Sequence, residues 1–109
     1  MRLLLIALAL LGLSSSAFSQ TPTAEGNITL VRTGWDADSF AVVTDAPIIN
    51  PANCTAPDGY ISAINFRGYR THYDAVLTAF AADLPITVVV HNTQCYANRP
   101  RIIGIIFGR

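Results

Sequence analysis

The chain has 109 residues, 51% hydrophobic and 13% charged, with seven arginines, no lysine and seven acidic residues, so its formal net charge is zero. That length holds one domain and excludes a multidomain enzyme. A neutral, lysine-free chain also lacks the positive field that nucleic-acid binding draws on.

Met1-Arg2 opens the chain, followed by an apolar run from Leu3 to Leu13 and then Ser14-Ser15-Ser16-Ala17-Phe18-Ser19. A short basic start, an apolar stretch too brief to cross a bilayer and a small-x-small end predict a secretory signal peptide over residues 1–19, cleaved after Ser19. The remaining 90 residues carry six arginines against seven acidic groups, a faintly negative balance. The expected location is the periplasm or the cell exterior, with no membrane span in the mature chain. Asn27-Ile28-Thr29 and Asn53-Cys54-Thr55 match the glycosylation sequon, but the chain reads as bacterial and no modification is expected. Cys54 and Cys95 are the only cysteines. No C-x-x-C is present, and an even pair in a small exported domain reads as one disulfide. Closing a loop of about 40 residues stabilises the fold by about 4 kcal/mol in the chain-entropy account.

Gln20–Gly26 is polar with Pro and Gly, a flexible N-terminal leader before a single domain over residues 27–109. Asn27–Arg32 and Ser39–Thr44 are β-branched and short, two strands of a hairpin whose turn is Thr33–Asp38. Asp45–Gly59, with three prolines, is a long loop tied down by Cys54, and Tyr60–Ile64 is a third strand. The period then changes. Tyr73, Val76, Leu77, Phe80, Ala81 and Leu84 lie on one helical stripe, with Thr71 and Asp74 as an N-terminal cap and Pro85 as the stop. Ile86–His91 and Arg101–Phe107 are the last strands, separated by a loop that holds Cys95. This β-β-β-α-β-β order, mainly β with one helix, matches the OB-fold, a five-stranded barrel. A generic α+β sheet with one packed helix is the competing reading, because order alone does not close a barrel.

The element order, the helix YDAVLTAFAADLP running into ITVVV, and the trailing segment NTQCYANRPRIIGII resemble the OB-fold B subunits of AB5-type bacterial toxins, in the subtilase-cytotoxin and pertussis-like branch, and related small exported bacterial proteins. The resemblance spans about Asn27 to Phe107. It implies a ring-forming, glycan-binding module that performs no catalysis; no sugar-contacting residue of that family aligns on a motif here.

The residues themselves offer several candidate sites. Trp35, Asp36, Asp38 and Ser39 combine an aromatic face with carboxylate and hydroxyl groups at an expected hairpin tip, the chemistry of a sugar site. The bland alternative is a polar turn with a packed tryptophan. The Asp-x-Asp spacing lacks the remaining ligands of a calcium loop, so no metal is expected. His72 and His91 fall on different elements without acidic or thiol partners in sequence, and no nucleophile elbow, zinc motif or phosphate-binding glycine loop occurs, so neither cofactor nor enzyme activity is expected. Arg67, Arg70, Arg99 and Arg101 with Tyr60, Phe66, Tyr69 and Tyr96 could form an oligonucleotide surface, but the charge balance opposes it and the arginines are expected to pair with Asp58, Asp74 or Asp83, or to cross a subunit boundary. Ile102, Ile103, Ile105, Ile106 and Phe107 are apolar on both strand faces, which calls either for an internal cover or for a homo-oligomer interface. The reading is an exported, non-catalytic, carbohydrate-binding module with a glycan or cell-surface glycoconjugate as partner. A small exported enzyme or inhibitor, or a structural envelope protein without a ligand, are the alternatives.

Overall fold

The computed structural model describes residues 20–34 and 36–108. The signal peptide expected over residues 1–19 and Trp35 lie outside the described residues. The elements run β1 (Gln20–Pro22), β2 (Ile28–Gly34), β3 (Ala37–Thr44), β4 (Tyr60–Ala63), α1 (Tyr69–Ala81), β5 (Thr87–Tyr96) and β6 (Arg99–Ile106). They form one six-stranded sheet in the order β1-β5-β6-β4-β3-β2, antiparallel except for the parallel β4–β6 pair. Among the described residues the fold is therefore mainly β with one helix, as expected, but with six strands rather than five. No ladder joins β1 to β2, so among the described residues the sheet is not closed into a barrel.

The additional strand comes from Gln20–Gly26, which is anchored rather than a loose leader. Thr21 and Pro22 pair with Val90 and Val89. Thr23 is buried and exchanges bonds with Val88, donating its N–H to the Val88 carbonyl at 2.8 Å and accepting the Val88 N–H on Oγ1 at 3.0 Å. Gly26 bridges Ile86 in both directions. Proline is tolerated because β1 is an edge strand, where one side of the backbone needs no donor.

The core follows from strand alternation. Phe40 and Val42 of β3, Tyr60 of β4, Val88 and Val90 of β5 and Ile102 of β6 meet Val76 and Ala79 of the helix. The helix is rotated relative to the expected stripe. Tyr73 and Leu84 pack on the core, but Leu77 and Phe80 are exposed, because the closest approach to the sheet is made by the small residues Val76 and Ala79. Its start also differs: Gly68, at φ 84°, caps the helix with no side-chain bond, and Thr71 and Asp74 lie inside the helix rather than at its cap. The ring of His72 fills the space beside Gly68, where an added Cβ would lie 2.6 Å from Nε2.

The two-faced apolarity of the last strand has a local cause. Val89 pairs with Gly104 while Val90 pairs with Ile102, so β6 carries one extra residue at Ile103. This bulge resets the alternation, and Ile102 and Ile105, three apart, both pack on the core together with Phe107. Ile106 is left 58% exposed, and the run needs no second subunit to explain it.

Candidate functional site

A groove of about 480 Å³ lies on the face of the sheet away from the core. Its floor is set by alternation along β3 and β4. While Phe40 and Val42 enter the core, Ser39 and Ala41 line the groove beside Ile61, the register partner of Ala41. Small side chains here leave the space open. Gly34 contributes to it, since a Cβ at that position would stand 2.0 Å from the Ser39 Oγ.

One wall is β2, with Arg32, Thr33 and Gly34; the other is the end of the β5–β6 hairpin, with Tyr96, Ala97 and Arg99. The hairpin reverses through Ala97 and Asn98, both left-handed at φ 48° and 66°, the pairing of angles that a two-residue turn between twisted strands requires. Cys95 is thus a strand residue rather than part of a loop. Its disulfide to Cys54, with an S–S distance of 2.04 Å and Cα atoms 5.8 Å apart, ties this hairpin end to the long loop before β4. The Ala56 N–H adds a bond of 2.8 Å to the Asn98 carbonyl. On the Cys54 side, the Asn50 side chain brackets the loop, its Oδ1 accepting the Cys54 N–H at 2.8 Å and its Nδ2 donating to the Cys54 carbonyl at 2.9 Å. The hydroxyl of buried Tyr60 accepts the Ile49 N–H at 2.9 Å.

Asp58, on the tethered loop, closes one end of the groove. Arg99 donates to it from both Nε (2.5 Å) and Nη2 (3.2 Å), and Arg32 from Nη2 at 3.4 Å. The Arg99 hydrogen bond, reinforced by the charges of Arg99 and Arg32, holds the Asp58 carboxyl below its usual range. Asp58 remains 58% exposed, so its free lone pairs face solvent and a ligand can reach them. The end of the groove therefore presents two guanidinium groups around one accessible carboxylate.

Of the four residues expected as a ligand site, the three described ones, Asp36, Asp38 and Ser39, do not converge. Ser39 lines the groove. Asp38 is one residue out of phase on the same strand and faces the other way: its charge acts on Tyr69, whose hydroxyl titrates above its ordinary value through burial first and Asp38 second. Asp36 is an exposed turn residue at φ 62°, and Trp35 lies outside the described residues. The hairpin turn is also shorter than expected, because β2 runs on to Gly34 and β3 starts at Ala37. The expected pairing of an arginine with Asp58 is present, through Arg99.

Neither histidine lines the groove. His91 accepts the Thr93 N–H at 3.1 Å on Nδ1, and His72, half-buried at the helix start, has its pKa lowered by burial and then by the charge of Arg101. Among the described residues no three His, Cys, Asp or Glu side chains gather to hold a metal, and no helix is long and apolar enough to cross a membrane. Of the residues considered for an oligonucleotide surface, Phe66, Tyr96 and Arg101 do cluster, with Phe66 and Tyr96 centroids 5.2 Å apart. Tyr60 instead is in the core and Tyr69 packs against Phe40 and Tyr73.

Comparison with known protein families, with curated proteins and with solved structures gives no match.

Proposed function

We propose that the chain is an exported, non-catalytic module that binds carbohydrate in this groove. The observation that carries the reading is the convergence of one aromatic wall residue, Tyr96, with the Arg32–Asp58–Arg99 cluster and the hydroxyls of Thr33 and Ser39 over a floor of small side chains. Sugars are held by this combination: an apolar surface against the C–H face, and fixed donors and acceptors for hydroxyls. The faintly acidic balance of residues 20–109 weighs against a polyanionic nucleic acid.

The pairings support an OB-like architecture for the module. The β2–β3–β4 meander, the parallel β4–β6 pair and the β5–β6 hairpin are those an OB-fold makes. The segment from Gln20 to Gly34 pairs first with β5 and then with β3, as the bent first strand of such a barrel does. In that architecture the second and third strands, with the turns beside them, bind oligosaccharides or oligonucleotides, and this is the face where the groove lies. The resemblance to toxin B subunits rests on the same outline.

A printed glycan array probed with the oxidised protein lacking residues 1–19 tests the function. Discrete hits, weakened by Asp58→Asn and Arg32→Ala, are the expected result. A folded protein that gives no hits sinks the carbohydrate reading.

A further inference from the structure

Tyr96 stands on the groove wall, and its ring is contacted by a residue outside the groove lining. The Tyr96 ring meets Phe66, in the turn between β4 and α1, with centroids 5.2 Å apart and planes at 87°. A perpendicular contact occupies at most one face of the Tyr96 ring, so at least one face is not used by Phe66. Phe66 in turn carries the guanidinium of Arg101 4.1 Å from its centroid. Arg101 sits on β6 as the register partner of Ile61, a floor residue, but does not itself line the groove. Its Nη1 donates to the Gln94 side chain, and its Nε is buried with no hydrogen-bond partner. An arginine this close to the surface ordinarily keeps its N–H groups in water. Here one is withdrawn from water while the cation rests on a ring, an arrangement that fixes both groups.

We propose that Tyr96 is the groove's stacking residue for the C–H face of a pyranose, and that Phe66 and Arg101 are positioning residues that set its ring. The assignment rests on the carbohydrate reading above and specifies it. A pyranose laid on Tyr96 turns its apolar face to the ring and leaves its hydroxyls at the edge, where the exposed Asp58 carboxylate accepts and the two arginines donate. The turn beside it, the exposed Ala97 and Asn98, carries no aromatic side chain. Phe66 therefore supplies the aromatic contact that Tyr96 has on the protein side.

The test uses the oxidised protein lacking residues 1–19 and the methyl glycosides of galactose, glucose and mannose, titrated by NMR together with the Tyr96 ring resonances. Tyr96→Ala is expected to abolish measurable binding. Phe66→Leu and Arg101→Gln are expected to weaken it about three- to tenfold, the range of one aromatic or cation–ring contact, and to shift the Tyr96 ring signals. Phe66→Tyr, which keeps the ring, should bind within about twofold of the parent, in line with the retained aromatic pair. Binding that survives Tyr96→Ala, or variants at Phe66 and Arg101 that bind normally with unmoved Tyr96 signals, overturns this inference and leaves the carbohydrate reading standing. Binding of a single-stranded oligonucleotide in place of any glycoside overturns the pyranose assignment. Absence of binding to every glycoside and every arrayed glycan by folded parent protein overturns both.

Discussion

The β5–β6 hairpin is held in two different ways along its length. Its body, where Val88 and Val90 face Ile105 and Ile102, is part of the core, and three of those four side chains are fully buried. Its end, from Cys95 to Arg99, contributes nothing to that core. It is fastened instead by a disulfide, an ion pair, one backbone bond and an aromatic contact. Between the two, the ladder skips from Val90↔Ile102 to Cys95↔Pro100. The body is thus fixed by non-directional burial, while the end is placed by a few specific tethers. Burial makes a fold; tethers set the relative position of groups that must meet a ligand.

Substitutions separate these two kinds of anchoring. The largest effect is expected from Ile102→Ala, which leaves a cavity among Val88, Val90 and Tyr60. Such core truncations cost about 2–5 kcal/mol, measured by denaturant unfolding as a lower midpoint for the whole domain. Replacing both cysteines by serine should cost about 2–4 kcal/mol. It should also raise amide exchange at residues 95–99 far more than at Val88 and Val90. Equal changes in exchange at both places would erase the distinction between body and end.

Titration gives smaller effects. The His72 pKa is lowered by burial and then by Arg101, so the unfolded chain takes up the proton first as pH falls. The contribution of neutral His72 is fully present above about 6.5 and is lost as pH drops from there through the folded value. His72→Gln should flatten that part of the stability–pH profile, followed by thermal melts. Asp58 shows the same sign lower down: its carboxyl is held below the ordinary value, so its stabilisation is present above about 3.8 and fades as pH falls through the folded pKa. Because Asp58 is well exposed, Asp58→Asn should change global stability by less than about 1 kcal/mol. Its signature is faster exchange confined to the hairpin end, and a drop in Tm beyond that expectation would place Asp58 among the residues that hold the fold.

The parts of this design that were readable in sequence are those governed by short-range rules. Alternation in SFAVVT and ITVVVH marked the strands that carry the core, and an even pair of cysteines without a C-x-x-C marked the disulfide. The edge strand β1 was not readable, because QTP has neither β-branched alternation nor apolar character beyond proline; its strand conformation comes from Val89, Val90 and His91, some 70 residues away. The hairpin end was hidden for a related reason. HNTQCYANRP is polar and reads as a loop, but its pairing is imposed by the Ala97–Asn98 turn and the tether to Cys54. In the candidate site, Ser39 lines the groove and Asp38 does not, since neighbours on a strand face opposite ways. Tyr96 and Arg99 face each other across the Ala97–Asn98 turn, but Asp58 reaches them only through long-range contacts. The one local clue was the cysteine pair itself, because it joins the loop of Asp58 to the strand of Tyr96.

One consequence of the sheet order concerns time rather than stability. β1 and β2 are consecutive in the chain yet occupy opposite edges of the sheet, and β1 meets its partner across about the whole length of the folded domain. The β2–β3 and β5–β6 hairpins close short loops and can form early, whereas β1 must wait until β5 is in place. Docking of Gln20–Pro22 is then the last step of folding and the first of unfolding. Removing those residues should leave the folding rate nearly unchanged and accelerate unfolding, so that β1 acts as a latch on the lifetime of the native state.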